Sequence, residues 1–198
     1  MKSLLPKLKS FAALLLSASA LSGAAAAAAA DLSEPIMLVA SSGLDGSLLQ
    51  QAVVLVTPLP DGGHIGFIIN RPTDVKLQAL FPDDAAASKV KESVYLGGPA
   101  LLPAVFAVTS TPPENPGTAV PLMPGLFAVM DSDAIDRIIE KAPNDARYFL
   151  GMMVWKPDEL GEEVRQNVWE LRPADADLVL RAKSPGLWRS LRGTAAYI

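Results

Sequence analysis

The apolar run Ile65-Gly66-Phe67-Ile68-Ile69 ends abruptly at Asn70-Arg71-Pro72-Thr73, and that edge constrains the fold more than any other feature of the chain. A short apolar run of this kind reads as a buried strand. The proline that follows cannot donate to a sheet ladder, so the strand must stop there. About two dozen residues later Val94-Tyr95-Leu96 ends in the same manner, at Gly97-Gly98-Pro99. Strands of one compact sheet often end at a common edge. The two polar corners are therefore expected side by side at one rim, where folds usually keep their binding chemistry.

The rest of the chain supplies more strands than helices. Residues 36–40 are a short apolar run broken by Ser41-Ser42-Gly43, and residues 52–56 are apolar and β-branched. Asp61-Gly62-Gly63 is a turn signal, so 52–56 and 65–69 are expected to form an antiparallel hairpin. Thr73 reads as the N-cap of a short helix carrying Val75, Leu77, Leu80 and Phe81 inward. Residues 83–91 read as a surface connection. Residues 105–108 and 126–129 read as strands, separated by a loop rich in proline. Ser132 is expected to cap the clearest helix, with Ile135, Ile138, Ile139 and Ala142 on one face. Residues 148–155 are too apolar to have a solvated face. Pro157 suits a helix N1 position, residues 168–171 return as a strand, and the tail holds short helical pieces near 175–180 and 187–191. The expected fold class is mixed α/β: a curved, barrel-like mixed β-sheet flanked by peripheral helices.

The first 30 residues read differently. Lys2, Lys7 and Lys9 precede an apolar stretch from Phe11 to Leu21, and a small-residue stretch runs to Ala30. That order matches a cleavable secretory signal. The expected organisation is a signal peptide at 1–30 and one domain at 31–198, periplasmic or secreted, with no stable membrane anchor after cleavage. The whole chain has 17 basic and 21 acidic residues, a net charge of -4, and removal of three lysines takes the remainder to -7. Such a field opposes nucleic-acid phosphate, so direct nucleic-acid binding is not expected. Cysteine is absent and there is one histidine, which excludes the common zinc sets and a thiolate nucleophile. No cofactor and no metal are expected.

Arg71 is the best single candidate for a ligand contact. Its guanidinium can hold a carboxylate or phosphate in two-pronged fashion. Alternatively it ties the corner to backbone carbonyls, or pairs with Asp45 or Asp74. The hypothetical binding rim comprises Asn70, Arg71, Thr73, Tyr95, Gly97 and Gly98, recognising an unidentified protein or a small anionic ligand. Gly97-Gly98 reads as a tight turn needing positive φ, or as an anion nest. Trp155 and Trp169 read as core anchors. No catalytic residue is assigned. The competing reading is a hydrolase-like enzyme using Ser41 or Ser42 with His64. Against it, His64 follows Gly62-Gly63 at an expected exposed turn, and the chain lacks a Gly-x-Ser-x-Gly elbow.

Asn70-Arg71-Pro72-Thr73, Tyr95-Leu96-Gly97-Gly98-Pro99, Trp155-x-Pro157-x-x-Leu160 and Asn167-x-Trp169 occur in that order, after an opening Leu38-Val39-Ala40-Ser41 with Leu44 and Asp45. In combination they resemble the YqgE/AlgH family over about residues 36–191. The resemblance implies a compact α/β domain with curved mixed sheets, and a branch linked to regulation of exopolysaccharide synthesis and described as a transcriptional regulator. It implies no catalytic residues, because none is established. The chain departs from the family pattern at Pro58-Leu59, where relatives tend to have Glu-His. It departs again at Asp158-Glu159, where they have Gly-Gln, and in carrying an export-like leader where members usually have none. The resemblance and the charge together imply a non-catalytic binding or regulatory protein. Mass spectrometry of the protein from a periplasmic extract should find a new N-terminus near Asp31; intact Met1 in the cytosol would contradict export.

Overall fold

The computed structural model describes residues 31–181 and 186–192. The expected leader at 1–30 lies outside them. Among the described residues ten strands form one strongly curled sheet. Strands β1 (Ile36–Ala40), β2 (Val53–Pro58) and β3 (His64–Ile68) run antiparallel, with β10 (Trp169–Pro173) on the outer side of β1. The hairpin expected at 52–69 is present, with Val54 opposite Ile68 and Pro58 opposite His64. Strand β9 (Ala146–Trp155) follows β3, and β6 (Ala100–Thr109), β8 (Leu126–Val129) and β7 (Ala119–Met123) complete the path. β4 (Pro72–Lys76) pairs with β5 (Ser93–Leu96), and β5 runs parallel to β9, which makes the sheet mixed. The curl brings β7 back to β2, where the Thr57 hydroxyl donates to Leu122 O at 2.7 Å.

The helices are short. Among the described residues they are α1 (Leu77–Leu80), α2 (Ser132–Lys141), α3 (Glu159–Arg165), α4 (Ala176–Arg181) and α5 (Leu187–Leu191). The apolar runs of β1–β3 are buried on both faces. Alternate residues such as Leu55 and Phe67 face the inside of the curl with Phe106, Leu126 and Phe149. Their neighbours Leu38, Val54 and Ile68 face an outer layer with Leu160, Trp155 and Trp169. A second outer layer packs Leu77, Ile135 and Ile139 against Ala107 and Tyr148. β9 feeds all three: Phe149 and Met152 to the interior, Met153 and Trp155 to one outer layer, Tyr148 to the other. Trp155 and Trp169 are core anchors as expected, and both indole N–H groups donate to Glu163 Oε2, at 3.0 and 2.7 Å.

Several local expectations are corrected. Thr73 is no helix cap: it lies within β4, its hydroxyl donates to Val94 O at 2.7 Å, and α1 starts later, after Lys76. Asp131, not Ser132, caps α2, because its Oδ1 accepts from Ala134 N at 3.0 Å. Pro157 precedes α3 by two residues, and Asp158 makes the entry in a left-handed conformation, φ 69°. β7 was not expected, since Pro121 lies within it; an edge strand tolerates a proline. Residues 83–91 include a 3₁₀ turn, Ala85–Lys89, that buries Ala87.

Gly97 and Gly98 do not take positive φ. Their reason is close approach. A Cβ on Gly97 would collide with Gly151 O and a Cβ on Gly98 with the Met152 main chain. Gly151 itself has φ 63°, and a Cβ there would collide with Gly98 O. The three glycines let the segment after β5 lie flush against the point where β9 changes partner, from β3 at Gly66–Met153 to β5 at Leu96–Leu150. Gly98→Ala should therefore cost about 3 kcal/mol or more, at or above the top of the overpacking range. Gly117→Ala, whose methyl meets only Asn115 Oδ1 at 3.4 Å, should cost under about 1 kcal/mol. Urea unfolding of both variants measures the difference.

Candidate functional site

Asn70 and Arg71 follow directly from the end of β3, and both side chains reach back across the turn that precedes β2. Asn70 Oδ1 accepts from Val53 N at 2.9 Å and its Nδ2 donates to Gln51 O at 2.8 Å. The amide thus extends the β2–β3 ladder by one more pair of bonds. Arg71 uses one terminal nitrogen to donate to Leu48 O and the other to donate to Gln50 O at 2.7 Å. Of the open alternatives for Arg71, the backbone carbonyls are its partners, and neither Asp45 nor Asp74 pairs with it. Two of its five N–H donors are used in this way, which leaves donor capacity at the corner. Partial burial lowers its pKa from the ordinary guanidinium value, and a guanidinium so placed remains charged at neutral pH.

The two rim motifs are neighbours. Pro72 lies opposite Tyr95, Leu96 N donates to Arg71 O at 2.9 Å, and Ile68 N donates to Gly97 O at 2.8 Å. Their side chains do not converge on one ligand site, however. Gly97 and Gly98 are buried between strands, and Gly97 N donates to Leu150 O at 2.8 Å, so they form neither a turn nor an anion nest. Tyr95 is 5% exposed, with Phe149 at 5.7 Å between ring centroids and the Arg147 guanidinium 4.5 Å from its ring centre. Thr73 is turned to β5. Only Asn70 and Arg71 reach an open cleft.

That cleft encloses about 270 Å³ and is lined by Gln50, Gln51, Asn70, Arg71, Trp188 and Arg189, with Gly186. One wall is the pre-β2 turn that Arg71 holds. The other is α5. Trp188 fixes α5 to the sheet, its indole N–H donating to Ala40 O at 2.7 Å, and Arg172 holds the end of the helix by donating to Leu191 O at 3.2 and 3.1 Å. This places Arg189 across from Arg71. The charge pattern is specific. Arg147, Arg165, Arg172, Arg181 and Arg192 each pair with a carboxylate. Among the described residues Arg71, Arg137 and Arg189 pair with none; Arg137 stands on α2, whereas Arg71 and Arg189 share this cleft, which no carboxylate lines. Sequence reasoning missed Arg189, Trp188 and the two glutamines. Arg189 falls in a tail helix with no motif around it, and only the fold brings it to Arg71.

The serine–histidine alternative is not assembled. Ser41 is spent locally: its hydroxyl donates to Asn167 O at 2.8 Å and accepts from Gly43 N at 3.2 Å. Ser42 is exposed at the start of a 3₁₀ turn. His64 is not on an exposed turn. It begins β3, is 9% exposed, and its Nε2 lies 2.9 Å from Leu32 O. Ala40 N bonds Ala52 O whereas His64 lies opposite Pro58, so six residues of β2 separate the serines from the histidine, roughly 20 Å at strand rise.

The family model described as AlgH-like matches residues 37–195. The chain belongs to the AlgH-like family. A UPF0301 protein of Parabacteroides distasonis is 28% identical over 156 residues, 77% of this chain and 78% of that protein. One from Streptomyces coelicolor is 27% identical over 170 residues, 82% and 88% of the two chains. The solution structure of the AlgH protein from Pseudomonas aeruginosa superposes with a TM-score of 0.66 at 20% identity, covering 84% of this chain and 96% of that one. A crystal structure of a Corynebacterium diphtheriae protein gives 0.62 at 20% identity, covering 80% and 84%. These two structures share the AlgH-like fold. They also agree with the curled α/β sheet expected from the strand pattern.

Proposed function

We propose that this AlgH-like protein is an exported, non-catalytic binding protein, and that its ligand is a small carboxylate- or phosphate-bearing molecule held between Arg71 and Arg189. One observation carries the reading: in an acidic protein whose other surface arginines are largely paired, two guanidiniums without carboxylate partners face one cleft. Guanidinium forks match planar and tetrahedral oxyanions, and the flanking amides of Gln50 and Gln51 can complete the donor set. Arg71 is pre-oriented by its two carbonyl bonds, so little rotamer freedom is lost when an anion arrives. A regulatory role would follow from occupancy of this cleft rather than from turnover. The separation of Ser41 and Ser42 from His64 supports the absence of hydrolysis. The acidic charge of the chain disfavours nucleic acid as the anion.

Titration of the protein with inorganic phosphate and with succinate, followed by the Trp188 indole N–H resonance, is the test. Saturable shifts are expected. Arg189→Gln should weaken binding at least about tenfold, or ~1.4 kcal/mol, at unchanged melting temperature, because Arg189 holds no part of the fold. No movement of the Trp188 signal with either anion, or equal affinity in Arg189→Gln, would sink the reading.

A further inference from the structure

A second hollow shares no residue with the Arg71–Arg189 cleft. It lies between α2 and the loop at 110–118 and encloses about 130 Å³. Val129, Ala134, Ile138, Ala142, Pro112 and Pro113 give it apolar walls. Arg137 and Lys141 stand on its rim one helical turn apart, on the same side of α2. Glu114 comes from the loop to meet them. Its Oε1 lies 2.9 Å from Lys141 Nζ, and its pKa is lowered first by that hydrogen bond and charge and then by the field of Arg137. A protein carboxylate is thus bound to a cationic rim above an apolar hollow. The pair is 65% and 74% exposed, and ion pairs that open to solvent exchange at little cost. Thr109 and Thr118 line the same space, but their hydroxyls already donate to Asp145 O and Asn115 O. Asp145, beyond the end of α2, is the other acid in the lining.

We infer that this hollow is a binding site for a small monocarboxylic acid with a compact apolar body, and that Glu114 occupies the carboxylate position until such an acid displaces it. Each part of the site argues for that chemistry. The volume is close to the roughly 150 Å³ of an apolar cavity that accepts benzene. Apolar side chains make up most of the walls and match an apolar body, while a second carboxylate would meet the acid Asp145 in the lining. The rim supplies two cations, which a single carboxylate can bridge by charge-assisted bonds. The internal carboxylate makes the site self-competing and so raises the apparent Kd for an external acid by a constant factor.

The experiment uses the full chain, labelled with nitrogen-15 and titrated with benzoate, with benzamide and inorganic phosphate as comparisons. Benzoate should shift amides at 111–118 and 134–142 saturably, with a Kd on the order of 1 mM for so small a molecule. Benzamide should bind at least about tenfold more weakly, since it lacks the charge. Glu114→Gln should tighten benzoate up to about fivefold, the most that loss of one competing exposed ion pair gives. Ile138→Phe should fill the hollow and abolish the shifts. Arg137→Gln with Lys141→Gln, two exposed changes that leave the apolar packing of α2 intact, should weaken benzoate at least about fivefold and serves if Ile138→Phe does not fold. Shifts that fail to saturate, equal binding of benzamide, or an unchanged or weaker Kd in Glu114→Gln would overturn the inference. The Trp188 resonance, remote in sequence and in a different cleft, reports separately on phosphate.

Discussion

A pair of hydrogen bonds through one glycine carries the β3–β9 ladder over into the pairing of β5 with β9. Gly97 O accepts from Ile68 N, and Gly97 N donates to Leu150 O, each at 2.8 Å. Those bonds splice the end of β3 and the end of β5 onto the middle of β9. They are possible only because Gly97, Gly98 and Gly151 carry no Cβ where the three chains meet. β9 in turn contributes to the interior core and to both outer layers, so its position sets the packing of everything else. The corner Asn70-Arg71 begins two residues after Ile68. Its geometry is inherited from the splice.

The acidic balance of the chain makes the treatment of cations informative. Most arginines are spent on carboxylates: Arg147 is buried against Glu92, and Arg172 and Arg192 share Glu170. Arg71 is spent on carbonyls instead. That choice immobilises the side chain while leaving its charge unneutralised, and the proposed oxyanion site rests on this arrangement. The same arginine therefore serves the fold and the cleft. Its structural part explains why the residue sits beside Asn70, whose amide performs the parallel task of extending the ladder.

What could be read from the sequence was whatever depends on short-range pattern. The apolar runs that became β1, β2, β3 and β9, the 52–69 hairpin, the apolar face of α2 and the short tail helices all follow from periodicity and turn residues, and so does the curled mixed sheet. Features decided by distant contacts were misread. Gly97-Gly98 looked like a turn because the strand it presses against lies some fifty residues away. His64 looked exposed because Leu32 and Trp155, its neighbours in space, are not its neighbours in sequence. Thr73 carried a helix-cap signature, but pairing of β4 with β5 claimed its hydroxyl. Half of the candidate cleft was legible in Asn70-Arg71. The other half, Trp188 and Arg189, rests on a five-residue helix docked by the indole bond to Ala40, the Arg172 bonds to Leu191 O and the buried Leu187, none of which is near Asn70-Arg71 in sequence.

If the splice at Gly97 organises the molecule, its amides must open only when the whole domain does. Native-state hydrogen exchange measures this directly. The account predicts that the amides of Ile68 and Gly97 exchange with the protection of Val54 and Val56 in β2, at the free energy of global unfolding. Exchange at Ile68 and Gly97 about a hundredfold faster than in β2 would show that the junction opens locally, and would contradict the account.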